Sequence, residues 1–373
     1  MMANPAEVSS GSAASGGAEG RASIAGDGER DTEQILRELC SLAGPTGQED
    51  AVLDHVAAAW AGRGQVTRTA VGNLLLHLPG PGPRVLIAAH ADELSLIVRS
   101  ITPDGFLRVL PGERDAFAAP YFPGAALRVL ADGGDVPGVF AATTGHALTP
   151  EQRERTKLGW DDVFVDVGMT ADEVAAAGIH VGTRMVWDGA VRRVGRLLVG
   201  KAMDDRIGIA VLVALAARLD AARLRFDVTL AATVQEEIGM VGAASLARDG
   251  RAYDVGFVVD NGLAGDIPTV SPAHMPVRLG GGPALVHRDS SAHYSRRLIA
   301  ELRATAAEHG IPVQDAVLYH YGSDAAHLIR QGMETLLVAP PIRYSHSPFE
   351  AVDPADVEAT VRLFEAYLTA PAS

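Results

Sequence analysis

Histidines and carboxylates follow apolar runs at several places along this chain. His90, Asp92 and Glu93 follow "RVLIAA", Asp204 and Asp205 sit in "GKAMDDRIG", and Glu236 and Glu237 follow "VTLAATVQ". Asp260 closes "VGFVV", and His346 follows "TLLVAPPIRYS". Open α/β sheets bind ligands at the carboxyl ends of their strands, so these are the positions where chemistry would be carried out. Each alone is weak: a strand-end Asp is more often a helix cap or turn former. Asp204-Asp205 also reads as a capping turn, Glu236-Glu237 as a solvated loop, and His55, His180 and His309 as surface or core residues. The set as a whole has a chemical logic. Two His and three or four carboxylates, without a Cys, suit one or two divalent ions of the zinc, cobalt or manganese type. Two ions about 3.5–4 Å apart need a bridging carboxylate and a base for the water between them. Neighbouring side chains in extended backbone point to opposite sides, so one of Glu236 and Glu237 can bind metal while the other faces the water.

The elements that must position these groups alternate. "DTEQILRELCSLAG" places Ile35, Leu36, Leu39 and Leu42 at helical spacing behind Asp31 as N-cap. Gly44-Pro45 breaks the pattern, and Thr46 with Glu49 reads as a capping box for the next helix. Strands "LLLHL" and "RVLIAAH" follow. From about residue 97 the texture changes to short strands divided by Gly, Pro and Asp, a small β-rich module. Helix "KAMDDRIGIAVLVALAARL" restores the alternation, which continues to helix "PADVEATVRLFEAYL". Strands alternating with helices imply an α/β sheet of parallel type, covered by helices on both faces. The expected organisation is a tail over 1–31, an α/β domain in two parts over 32–97 and 193–373, and an inserted β module over 98–192.

Composition narrows the function classes. The 373 residues carry 32 basic and 46 acidic side chains, a net charge of -14, with no basic cluster. That argues against nucleic acid and anionic membrane surfaces as partners, and no apolar run reaches the length of a membrane span. The single Cys40 lies in an apolar helical pattern and reads as core packing, so any metal must be held by His, Asp and Glu. The first thirty residues are small and polar, without the apolar segment of a secretory signal, which points to a flexible tail and a cytoplasmic protein. "GxSxG" is absent, and "SSAH" at 290–293 reads as the cap of a helix rather than a nucleophile.

The motifs "AAHADE", "GKAMDDRIG", "TVQEEIGMVGA", "VVDNG", "YGSDAAHL" and "RYSHSPFEAVDPADVEA" occur in the order and spacing of the family-42 metallopeptidases. The sequence resembles these tetrahedral (TET) aminopeptidases, which include glutamyl and deblocking aminopeptidases and proteins labelled cellulase M or endoglucanase, over about residues 33–370. The resemblance implies a three-layer α/β sandwich of the zinc-aminopeptidase kind with an inserted small β-barrel-like domain. It implies two divalent ions per chain, zinc foremost, with cobalt and manganese as alternatives. Asp204 would bridge them, His90 and Asp260 would complete one site, and Glu237 with His346 the other. Glu236 would be the general base and Asp92 the group that orients His90. A cis peptide would join Asp204 to Asp205. The implied reaction is hydrolysis of N-terminal residues from short peptides, and the implied assembly is dimers built through the inserted module into a dodecamer. Ala91 and Ser95 stand where the family usually has Met and Gly, and "YGSDAAHL" replaces a Gly-Thr-Asp run, but no ligand is lost. The rival readings are an N-acyl amino acid deacylase with the same ligands and a non-catalytic assembly protein, which would have lost Glu236 or a ligand. A glycosidase would leave His90 and His346 without a role.

Overall fold

The computed structural model describes residues 31–113, 122–154, 158–246 and 252–370. Apart from Asp31, the tail expected at the N-terminus lies outside the described residues. An eight-stranded sheet runs in the order Gln65–Arg68, Leu74–Leu78, Asp227–Thr233, Arg84–His90, Val255–Val259, Glu334–Ala339, Ala284–Arg288, Gln314–Val317. The four central strands are parallel, and antiparallel pairs appear only toward the edges. The sheet is therefore mixed, with its parallel part where the sequence shows near-continuous apolar strands such as "LIAAH" and "VGFVV".

Helix Met203–Arg218 is apolar on every side from Ile207 to Ala217, and its residues from Met203 to Ala216 are buried. It packs on strands Arg84–His90 and Asp227–Thr233 and is itself covered by helices Thr32–Ser41, Asp50–Trp60 and Pro354–Leu368. A helix enclosed in this way needs no polar face. Asp353 caps helix Pro354–Leu368 through Ala355 N–H, and the expected cap at Asp31 is present, its carboxylate accepting from Glu33 N–H. Two expected caps are not. The hydroxyl of Thr46 donates instead to Asp92 at 2.9 Å, and Glu49 accepts from Gly47 and Gln235 N–H, so no capping box forms. Ser295, not the serines of "SSAH", caps helix Arg296–Glu308 through Leu298 N–H.

Strands Leu96–Ile101, Leu107–Pro111, Val163–Asp166, Gly134–Ala142, Ala126–Ala131 and Arg184–Trp187 close a barrel in that order. It has its own apolar core, which includes Leu96, Val109, Val129, Phe140, Val165 and Trp187. Buried Glu113 ties the barrel to the segment that follows His90. It accepts from Ser95 N–H and hydroxyl at 2.8 and 2.7 Å and from Arg184 at 2.6 Å.

Candidate metal centre

Five chain segments bring the collected residues to one end of the sheet. His90 ends its strand, Asp260 directly follows Val255–Val259, and Glu236 and Glu237 stand just beyond Thr233. His346 comes from the turn after strand Pro341–Arg343, and Asp204 from the start of the central helix. Asp204 lies between the two histidines and turns one oxygen to each: Oδ1 is 3.2 Å from His90 Nε2, and Oδ2 is 3.4 Å from His346 Nε2. Glu237 Oε1 is 3.7 Å from His346 Nε2. Two groups of potential ligand atoms result, His90 with Asp204 and Asp260, and Asp204 with Glu237 and His346, each within a 4.8 Å span. Glu236 joins a third group with His90 and Glu237.

The local backbone explains how these side chains point inward. Asp204 and Asp205 have non-helical φ/ψ and are joined by a cis peptide bond, as expected from the family resemblance. The two neighbours divide the work. Asp204 faces the cluster, whereas Asp205 caps the helix, accepting from Gly208 N–H at 3.0 Å and from His90 N–H at 3.3 Å. Among the described residues the non-glycine positions with left-handed φ are Ala202, Gln235, Met240, His320, Tyr344 and His346. Each lines the cleft or stands within two residues of a group in it. Sparsely populated conformations persist where packing enforces them, and they gather at functional sites.

Electrostatics identify what the cluster lacks. Burial pushes Glu237 up to about 8; His346 opposes the shift, and the Asp204 charge adds to it. Burial likewise raises Asp260 to about 7, with His90 opposing and Asp204 adding. Glu236 is raised well above the usual range, first by burial and then, against the pull of His90, by Glu237 and Asp260. Burial alone would depress His346, but the Glu237 charge and the Asp204 hydrogen bond outweigh it and hold the ring at about 10. These carboxylates crowd one another, and among the described residues no lysine or arginine lines the cleft to offset them. Glu237 Oε1 is buried without a hydrogen-bond partner. A donor set of imidazole nitrogens and carboxylate oxygens, short of positive charge, fits divalent ions of the kind the sequence suggests.

Asp92 stands behind His90 and the Glu236-Glu237 backbone. Its Oδ1 lies 3.4 Å from His90 Nδ1 and accepts from Glu236 N–H at 3.0 Å; its Oδ2 accepts from Glu237 N–H at 3.1 Å and from Thr46. Burial raises this carboxyl, but the hydrogen bond and charge of His90 and the two N–H groups outweigh it and bring it below its ordinary value. Glu93, the fourth residue of "HADE", does something else. It is 1 % exposed and sits between Lys201 Nζ at 2.7 Å and Arg206 Nη2 at 3.2 Å. The cation it meets is a pair of side chains.

Sequence reasoning missed Glu350, which accepts from Asp204 N–H at 3.1 Å and His346 N–H at 2.7 Å and so fixes the backbone of both. It also missed Asp324, which is buried and accepts from Thr233 Oγ1 at 2.6 Å beneath the cluster. Glu350 is preceded by the turn "SPF", of which Phe349 is exposed, and carries no local signal. Asp324 stands inside "YGSDAAHL", a run singled out for its departure from the family rather than for its acid.

The cluster opens into a cleft of about 480 Å³. The family profile described as M42 glutamyl aminopeptidase matches residues 72–363. The lysyl aminopeptidase of Pyrococcus furiosus is 29% identical over 350 residues, covering 90% of this chain and 96% of that protein. Among solved structures, aminopeptidase APDkam598 from the archaeon Desulfurococcus kamchatkensis has a TM-score of 0.85 at 30% identity, covering 91% of this chain and 94% of that one. The TET1 peptidase of Pyrococcus horikoshii, described as able to assemble into a tetrahedron or a large octahedral shell, has a TM-score of 0.80 at 28% identity, with 91% and 99% covered. With a profile match over most of its length and a sheet, barrel and site arranged as described, this chain belongs to the M42 glutamyl aminopeptidase family, hydrolases of the aminopeptidase class.

Proposed function

We propose that the protein releases N-terminal residues from short peptides with two divalent ions, zinc or else cobalt or manganese. His90, Asp204 and Asp260 would hold one ion, and Asp204, Glu237 and His346 the other. The observation that carries this reading is Asp204, whose two oxygens face two separate histidines 3.2 and 3.4 Å away. When bound, such ions supply Lewis acidity and lower the pKa of water toward neutrality. Glu236 takes up the proton of the attacking water on its carboxylate and returns it to the leaving amine. Its buried carboxyl stands in one group with His90 and Glu237, placed to hold that proton between the two steps. Asp92 keeps His90 turned toward Asp204, and its contacts with the Glu236 and Glu237 N–H groups set base and ligand side by side. The substrate's α-amine meets the surrounding carboxylates, which favours cleavage at the chain end. The test is metal analysis of the purified protein together with hydrolysis of aminoacyl chromogenic substrates. Two ions per chain are expected, with activity lost to chelator and restored by zinc, cobalt or manganese; activity in exhaustively stripped protein would overturn the reading.

We also propose that the β module at 98–192 is a contact module, that dimers formed through it assemble to a dodecamer, and that the enzyme works in the cytoplasm. Exposed apolar side chains on the module, Phe106, Val139, Leu158 and Val181, support the first point. Light scattering decides it, since one chain is 38.9 kDa. A mass that stays at one chain in active, metal-loaded enzyme would exclude assembly.

A further inference from the structure

Among the described residues, the charged groups lining the cleft are the five proposed ligands and Glu236. Beyond them, the wall among the described residues is uncharged in Ile238, Met240, Leu263, Asn261 and Tyr321, with exposed His320 beside them. The tyrosine hydroxyl is already committed, donating to Asn261 O at 2.7 Å. Met240 is held in left-handed backbone, φ 59°. Its methyl end packs over Gly322, where an added Cβ would meet Met240 Cε at 3.2 Å. A thioether chain seated in this way offers a pliable apolar surface and no counter-charge.

We infer that the enzyme selects peptides whose N-terminal side chain is uncharged and aliphatic, of leucine or methionine kind, and that Met240 is a specificity-determining residue. The inference rests on the aminopeptidase reading and adds the substrate class. A glutamate or lysine side chain laid against Ile238, Met240 and Leu263 would give up hydration and gain no partner, whereas an apolar one is favoured by the same contact. Ile238 is 45% exposed, so the wall is partly open to water and the charged side chains keep some hydration. The expected discrimination is accordingly moderate, about tenfold or somewhat more.

The experiment uses the full-length, metal-loaded protein with the p-nitroanilides of leucine, methionine, glutamate and lysine at one pH and salt concentration. The leucine and methionine derivatives should lead the other two in kcat/KM by about tenfold or more. Met240→Glu should raise the lysine-to-leucine ratio by about tenfold, while the neutral Met240→Gln should keep leucine ahead. Metal content, measured on each variant, separates a change of preference from a damaged centre. The wild-type ranking stands without any variant. If the glutamate or lysine derivative led, this inference would fall and the aminopeptidase reading would stand. If all four resisted hydrolysis, both would fall. An unchanged ratio in metal-replete Met240→Glu would remove Met240 as the determinant.

Discussion

Glu93→Gln tests the ion group beside the cluster. In the wild type Glu93 accepts both from Lys201 and from Arg206, and also from Gly44 N–H at 3.0 Å. All three charged side chains are at most 1 % exposed, so water cannot replace a lost partner. Removing the carboxylate leaves two buried cations facing a neutral amide. Breaking one buried pair in this way costs about 3–5 kcal/mol. One relief operates: burial already depresses the Lys201 ammonium, the Glu93 charge is what holds it up, and without Glu93 the lysine can shed its proton. The cost should therefore stay within the range for one pair, although two cations are affected. At about 2 °C per kcal/mol, the apparent Tm should fall by roughly 6–10 °C at fixed protein and metal concentration. Adding Lys201→Met to Glu93→Gln returns the group to the single net positive charge of the wild type and should recover a good part of the loss. The readout is thermal or urea unfolding of the metal-loaded protein, single and double variants side by side. A single variant within about 1 kcal/mol of wild type, or a double variant no better than the single, would refute the reasoning.

Glu236→Gln should keep both metals while turnover drops by roughly 10²–10⁴-fold, whereas Glu237→Gln should lower metal content; exchanged phenotypes, read by metal analysis and kinetics, would reverse the two roles. Glu358 receives both guanidinium nitrogens of Arg218 at 2.6 and 2.8 Å and the Thr32 hydroxyl; burial raises its carboxyl, but these contacts outweigh burial and lower it. A depressed carboxylate contributes stability above its unfolded value and loses it as pH falls through the folded one. Glu358→Gln should thus cost about 0.5–1 kcal/mol at pH 7, the size for a pair still reached by solvent, and the variant and wild-type unfolding curves should converge on acidification below about pH 4. Asp92→Asn should leave the fold intact and weaken metal retention, since the amide cannot accept from all its present donors; unchanged metal affinity by competition with a chelator would contradict its positioning role.

The α/β class was legible because the strands that build the sheet centre are nearly all apolar and each stops abruptly at a polar residue. That same abruptness marked His90, Asp260 and Glu236 as groups that share a location. What residue type and spacing could not show, and only the family resemblance supplied, is which of two adjacent acids turns where. Asp204 and Asp205 look alike on paper, yet one faces the cluster and the other caps a helix. Glu93 was misleading for a related reason. It looked like part of a metal site, but its cations arrive from Lys201 and Arg206, far along the chain, just before and at the start of an otherwise apolar helix, and that was the available clue. Thr46 and Glu49 had the spacing of a capping box, and tertiary partners took both side chains. Local pattern forecasts local geometry until a distant group offers a better hydrogen bond.

The wide separation of the clustered residues along the chain also sets when the site can form. His90 and His346 lie at opposite ends of the catalytic sequence, with the entire barrel between His90 and Asp204. During synthesis at about 5–20 residues per second, His90 emerges roughly 10–50 s before His346. For that interval the early strands must remain soluble with one edge of the future sheet unpaired, while the barrel, whose contacts are closer in sequence, can already fold. Loop closure over such distances is slow. The cluster is thus a late product of folding, and a nascent chain presents isolated histidines and acids long before it presents a site.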